Sequence, residues 1–467
     1  MILRAARLST ALAAALVAAG CATLVPPLPE AQPQVPQAWP TTGPATASTT
    51  DVADIGWREV LVDPRLQRVV AQALANNRDL RVAVLNVERA RAQYQVRRAD
   101  RVPSVGANAT MERTGGDAPA TEGYSAGIGI ASYELDLFGR VRNLSEAALQ
   151  QFFAQEGNRR AAHIALVAGV SNAWLGLAAD ASLRAIALDT LKTYEEALRL
   201  AERRHQIGVI SGLELSQART QVEAARMDVA RYEGNVAQAR HALDLLAGAP
   251  VAAADLPARF DDGLVALVPL PAGLSSDVLL HRPDIQAAEH LLRGANANIG
   301  AARAAFFPSI SLTGSVGTAS DSLGGLFDAG TRAWRFAPQV NLPIFQGGRL
   351  RANLGMANAD RDIALANYEQ AIQSGFREVA DALALARTLA DGRAAAERLL
   401  AAAQQAETLS AARYAAGRDS YLLRLDAQRT LYSAQQATLQ ARLAEQLNRV
   451  ALYRALGGGW TEGIDAR

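Results

Sequence analysis

The stretch Asn77-Arg78-Asp79-Leu80-Arg81-Val82-Ala83 returns as Arg282-Pro283-Asp284-Ile285-Gln286-Ala287-Ala288, and Val102-Pro103-Ser104-Val105 returns as Phe307-Pro308-Ser309-Ile310. Further on, Leu135-Asp136-Leu137-Phe138-Gly139-Arg140 is answered by Leu342-Pro343-Ile344-Phe345-Gln346-Gly347-Gly348-Arg349, and Arg204-His205-Gln206-Ile207-Gly208 by Arg413-Tyr414-Ala415-Ala416-Gly417. The signals keep one order at an offset of about 207 residues, far too long for a solenoid unit. The chain is therefore a duplicated half-subunit.

Proline marks where long helices can run. None lies between Pro119 and Pro250, and none after Pro343, so both windows lack the residue that breaks a helix interior. A continuous helix from Arg140 to Ile207 would measure roughly 100 Å at about 1.5 Å per residue. Leu191, Tyr194, Leu198 and Ala201 keep alternating three- and four-residue steps, as do Leu439, Leu443, Leu447 and Val450. Both are coiled-coil-like seams, and helices of this length must pack along one another. Asp63-Pro64 supplies the cap and first-turn proline of an opening helix.

After Pro103 and Pro308 the hydrophobic period falls from about 3.6 to about 2. Val105, Ala107, Ala109 and Met111 alternate with Ser104, Gly106, Asn108, Thr110 and Glu112; Ile310, Leu312 and Val316 alternate with Ser309, Ser311, Thr313 and Ser315. Partner strands follow at Tyr124, Ala126, Ile128 and Ile130, and at Trp334, Phe336, Val340, Leu342 and Ile344. Two hairpins with one apolar and one polar face result. They can lie as a small sheet on the helices or enter a membrane barrel. Four strands cannot close a barrel, and open edges cannot sit in lipid, so the second fate requires several copies to pool their strands; three would supply twelve.

Composition narrows the class. The chain is 50% hydrophobic but only 5% aromatic, with a net charge of +1 and both signs interspersed. That suits close helix packing and offers no basic stripe for nucleic acid. No transmembrane helix is expected after the N-terminus. The beginning reads as an export signal: Arg4 and Arg7 precede an apolar run from Ala11 to Val17, followed by Ala18-Ala19-Gly20-Cys21. This resembles a bacterial lipoprotein box in which Cys21 carries lipid, with Ala18 where leucine is usual; the alternative is an ordinary signal peptide beside a chance cysteine. Ala22 after the cysteine resembles an outer-membrane sorting signal. Cys21 is the only cysteine, which excludes disulfides and thiolate metal sites within one chain. From Pro26 to Pro44 seven prolines read as an extended, poorly packed tether, with the folded part beginning near Trp57.

Together these features resemble the outer membrane efflux protein family, the channel-tunnels of tripartite pumps, and most closely its lipidated branch. Besides the duplicated plan, the resemblance rests on the junctions Tyr133-Glu134-Leu135-Asp136-Leu137-Phe138-Gly139-Arg140 and Val340-Asn341-Leu342-Pro343-Ile344-Phe345, on the tip Tyr414 to Gln428, and on the ending Ala451-Leu452-Tyr453-Arg454-Ala455-Leu456-Gly457-Gly458-Gly459-Trp460. It implies a mainly α protomer with a membrane β-barrel portion, three copies forming a 12-stranded barrel continuous with a 12-helix periplasmic tunnel. It implies a periplasmic adaptor, an inner-membrane pump of the resistance-nodulation-division class, and location in the outer membrane with a lipid anchor and a periplasmic extension.

The expected organisation is a signal peptide over 1–20, a lipid-anchored tether over 21–56, a first repeat over 57–250, a linker over 251–275, a second repeat over 276–460 and a tail over 461–467. Within the repeats, hairpins are expected at about 104–138 and 309–345, long helices at about 140–207 and 347–416, and return helices at about 211–247 and 420–456. Gly208-Val209-Ile210-Ser211 and Gly417-Arg418-Asp419-Ser420 read as helix C-caps turning into the next N-cap, and the resemblance adds adaptor docking there. Leu422 and Asp426 lie one turn apart on one helix face. The resemblance makes them rings that narrow the periplasmic mouth, with Arg429 available to hold it shut; the plainer reading is a seam leucine and a solvated Asp-Arg pair. The first copy has Leu213, Gln217 and Thr220 at the aligned places. The five histidines, His163, His205, His241, His281 and His290, show no metal spacing and are expected as surface or capping groups. No Walker loop, nucleophile elbow or His-Glu-x-x-His motif is present. The expected function is a passive, gated exit duct for small molecules, without enzymatic activity or cofactor beyond the lipid on Cys21. The alternatives are a duct for type I protein secretion and a non-channel scaffold lipoprotein.

Overall fold

The computed structural model describes residues 24–39, 56–117, 119–261, 263–266 and 276–458. Cys21, Pro40, Pro44 and Trp460 lie outside them. The helices and strands run α1 (Trp57–Val60), α2 (Pro64–Asn76), α3 (Arg78–Ala99), β1 (Val105–Thr114), β2 (Thr121–Leu135), α4 (Arg140–Gln206), α5 (Gly212–Ala247), α6 (Pro283–Ala304), β3 (Ser309–Ser320), β4 (Arg332–Asn341), α7 (Arg349–Ala415) and α8 (Tyr421–Ala455). The chain divides into one unit of residues 1–32, 85–157 and 286–370 and another of residues 33–84, 158–285 and 371–467.

The first unit holds the strands as one antiparallel meander in the order β1-β2-β3-β4. Directly opposed residues share a face, so the register defines two surfaces. Val105 faces Ile130, and Ala107, Ile128, Val316 and Trp334 form one row. Leu135, Ile310 and Val340 form another row on the same face. The other face carries Asn108, Thr110, Ser125, Ser315, Arg335 and Gln339. A β-bulge between Ile130 and Tyr133 makes this possible. Strict alternation would turn Tyr133 and Leu135 to the polar side; one extra residue returns them to the apolar one. The bulge is centred on Ser132, whose φ is 53° and whose N–H donates to Thr313 Oγ1 at 3.3 Å.

In the same unit the N-terminal segment is extended, as its prolines require, but it is not poorly packed. Arg303 donates to Leu24 O at 3.1 Å, Asn296 to Pro26 O at 2.9 Å, and Gln32 N–H to Glu369 Oε1 at 2.8 Å. Proline-rich backbone keeps its carbonyls free, and Asn296 and Arg303 of α6 donate to two of them, while Glu369 of α7 accepts from a backbone N–H.

The second unit begins before Trp57. Trp39 is buried, its ring stacks on Phe376 at 5.0 Å and its Nε1–H donates to Phe376 O. Asp63 caps α2 by accepting from Arg65 N and Leu66 N, with Pro64 in the first turn. The heads of the two repeats then do the same work with different chemistry. Asn77 Nδ2 donates to Leu246 O at 2.9 Å and Arg282 Nη1 to Ala455 O at 2.7 Å, each holding the last turn of its own return helix. Arg282 is buried and also ion-pairs with Asp284 and Glu378. The inter-repeat segment is packed too: Val265 is buried and bridges to Leu61.

Contrary to the expectation from hydropathy, α4 contains an 18-residue window of mean hydropathy 1.4, apolar enough to cross a membrane. Of that window 61% is buried within the chain, with Val170, Trp174 and Leu175 inaccessible. It is a core helix whose apolar surface is consumed by packing.

The bulge yields a test. Left-handed backbone costs an L-residue about 1–2 kcal/mol, most for a β-branched one. Ser132→Gly should be neutral or slightly stabilising, and Ser132→Ile should lower stability by about 1–2 kcal/mol, read by urea unfolding in detergent; equal midpoints for the two variants would contradict the bulge.

Candidate functional site

Both helical hairpins end in the second unit, and their tips are built alike. At the first, the chain leaves α4 through Gly208 at φ 75°, Val209 N–H donates to Arg204 O at 2.8 Å, and Ser211 Oγ accepts from Glu214 N–H at 3.2 Å. At the second, Gly417 has φ 68° and Arg418 N–H donates to Arg413 O at 2.9 Å. Glycine suits both places because, lacking a Cβ, it takes the left-handed conformation without the steric penalty that other residues carry. Ser420 sits at the N-cap of α8 without a side-chain cap bond. The Arg413 fork instead grips Asp419 at 2.6 and 2.7 Å, and that bond holds the Asp419 carboxyl below its ordinary value.

The two hairpins are pinned together just behind the turns. Ala201, Leu215, Ala218, Tyr421 and Leu425 form a buried cluster with Leu198, Ile210 and Tyr414 against it. Arg204 donates to the Tyr414 hydroxyl at 2.9 Å, and the guanidiniums of Arg204 and Arg424 stand 5.1 and 5.3 Å from its ring centroid. Beyond this cluster the tips differ in what they offer. The first exposes Ile207, Val209 and Leu213, with Ile207 75% accessible. The second exposes Arg418, Leu422 and Leu423.

Leu422, Asp426 and Arg429 form an exposed stripe of α8, about 100° round the helix from the buried stripe of Tyr421, Leu425 and Gln428. Among the described residues no ion pair joins Asp426 to Arg429, so the intrahelical pair of the plainer reading does not form. Arg429 instead lies near enough to Tyr194 to act on its hydroxyl electrostatically.

Alignment by the caps pairs Leu213 with Leu422 and Gln217 with Asp426. Burial pairs the helices one residue further: Leu215 and Ala218 are buried as Leu425 and Gln428 are. Gln217 is half-buried, and Ser216 takes the exposed place that Asp426 holds in α8. Sequence reasoning also missed Gln428 itself. It is 6% exposed, and neither amide atom finds a hydrogen-bond partner among the described residues. Its one legible signal was a glutamine inside a run of seam positions.

The histidines divide. His205 Nδ1 lies 3.2 Å from Ile210 O at the first tip, a capping role. His163 is buried rather than at the surface; burial, reinforced by Arg159, pushes its pKa down to about 4. Among the described residues no His, Cys, Asp and Glu cluster could hold a metal ion.

The family model described as outer membrane efflux protein matches residues 69–249 and 274–458. The chain is 47% identical over 461 residues to the probable efflux pump outer membrane protein TtgC of Pseudomonas putida, covering 96% of this chain and 94% of that one. It is 43% identical over 452 residues to the probable outer membrane lipoprotein SilC of Salmonella typhimurium, covering 96% and 97%. Among solved structures, the open state of the Neisseria gonorrhoeae MtrE outer membrane channel matches with a TM-score of 0.86 at 42% identity, over 94% of this chain and 99% of that one. A duplicated chain that pairs an amphipathic four-stranded meander with two capped helical hairpins, and matches these proteins along nearly its whole length, belongs to the outer membrane efflux protein family.

Proposed function

We propose that the chain works as the outer-membrane exit duct of a tripartite efflux system, passing small molecules outward as a homotrimer. One observation carries the reading: a four-stranded meander with an apolar face and two unpaired edges. In lipid such edges must be closed by other strands, and three copies of four strands fall within the size range of membrane barrels. The apolar rows then face lipid and the Asn, Ser, Thr, Arg and Gln face lines a water-filled lumen. The helical hairpins extend into the periplasm. Kinship with proteins named as efflux pump outer membrane proteins supports the transport role. No catalytic role is assigned, and the energy comes from an inner-membrane pump, proposed to be of the resistance-nodulation-division class.

In this reading the tips receive a periplasmic adaptor. Gly208, Val209, Ile210 and Ser211 offer an apolar turn, and Gly417, Arg418, Asp419 and Ser420 a charged one whose shape the Arg413–Asp419 fork fixes. Leu422 and Asp426 from three copies converge at the mouth as its constriction, and Arg429 bonds across to hold it. Cys21 carries lipid, which positions the strap of residues 24–39 at the membrane.

Three outcomes test these assignments. Native mass spectrometry in detergent should count three chains per particle, and a stable folded monomer would refute the architecture. Cys21→Ser should abolish acylation while the barrel still forms, because strands rather than lipid carry insertion; an unmodified Cys21 in the mature wild-type protein would sink the anchor. Leu422→Ala with Asp426→Ala should raise single-channel conductance several-fold without dissociating the trimer, since both side chains lie outside the packed core. Leu213→Ala with Gln217→Ala should do much less, the first tip having no carboxylate there. Equal changes from both pairs, or none from the second-copy pair, would place the constriction elsewhere.

A further inference from the structure

The two strand-to-helix junctions are related by the repeat, yet their aromatic residues have different fates. At the first, Phe138 follows β2 and stacks on Phe307, the residue that introduces β3, with ring centroids 4.6 Å apart. Asp136 ties that junction down by accepting from Val141 N–H at 3.0 Å and Arg142 N–H at 2.7 Å. At the second, Pro343 stands where Asp136 stood, and it can make no such cap. Phe345 aligns with Phe138, follows β4, and is 87% exposed; among the described residues no ring stacks on it.

The repeat names the missing partner. Phe307 precedes β3, the strand that pairs with β2. Its counterpart Val102 precedes β1 and is left 61% exposed by the described residues. The free edge of β4 and the free edge of β1 are the two edges that must meet between copies if the barrel closes. We propose that Phe345 of one copy seats on Val102 of a second copy, repeating between chains the contact that Phe138 and Phe307 make within one. The same equivalence sets the strand register. Leu135 lies opposite Ile310 within the chain, so Leu342 of one copy lies opposite Val105 of the next.

This inference rests on the trimeric reading above, goes beyond it by fixing a contact pair and a register, and can fail separately. The test is thiol trapping in the full-length chain with Cys21→Ser, which removes the one native thiol. Val102→Cys with Phe345→Cys, treated with a short bis-maleimide or a mild oxidant, should give covalent dimers and trimers on denaturing gels, and neither single variant should. Phe138→Cys with Phe307→Cys is the internal standard: it should bridge within one chain, consuming both thiols while the band stays at the single-chain position. Independently, Phe345→Ala should lower the temperature at which trimers separate by several degrees, while Phe345→Leu retains most of the resistance. No bridge from the Val102–Phe345 pair in particles that still hold three chains would overturn the contact and assign Phe345 to the lipid interface. A monomeric particle would instead overturn the trimeric reading itself.

Discussion

Everything in this architecture depends on where the unpaired backbone groups of β1 and β4 go. Each strand is 10 residues long, and on an edge roughly half the peptide groups point away from the sheet. In hydrocarbon each orphaned N–H or C=O costs several kcal/mol, so the two edges together cost tens of kcal/mol, well above the roughly 5–15 kcal/mol that holds an ordinary domain together. A lone protomer therefore cannot insert as this sheet. Oligomerisation is a condition of membrane residence here, and the helical part must be arranged so that it permits closure.

The duplication meets that condition economically in sequence but unequally in structure. The junction between β2 and β3 is internal, so the first copy finds its partner by folding; in the proposed assembly the second finds its equivalent only in another chain. Where both partners are internal, the two copies solve one problem by different chemistry. Asn77 and Arg282 occupy the same place in the repeat and both hold the final carbonyls of a return helix. A small amide does so alone. A buried guanidinium needs Asp284 and Glu378 beside it, because a charge taken from water must be paired.

The repeat, the hairpins and the long helices were legible because each rests on a periodicity or on the position of proline, which are local properties. Helix ends predicted at about 207 and 211 fall at Gln206 and Gly212, since glycine and serine caps act within a few residues. The bulge at Ser132 was not legible: it appears in sequence only as a break in alternation between Ile130 and Tyr133, and a loss of alternation equally marks the end of a strand. The packing of residues 24–39 was missed for a related reason. Proline reports that backbone is extended, but whether that backbone is solvated depends on α6 and α7, hundreds of residues away. The apolar window of α4 shows the converse, composition suited to lipid being used for packing on other helices.

The tips show why aligned residues need not be equivalent. Caps fix where a helix starts, but its buried face is chosen by the neighbour it packs on, and a shift of one residue turns that face by about 100°. In α5 the cluster takes Leu215 and Ala218; in α8 it takes Tyr421 and Leu425, and Gln428 is buried one turn on. That choice leaves Leu422 and Asp426 outward in α8, whereas α5 presents Gly212 and Ser216 at the corresponding angles. In the proposed trimer, a ring at this level therefore carries one carboxylate per chain, since Ser216 of α5 takes the exposed place that Asp426 holds in α8.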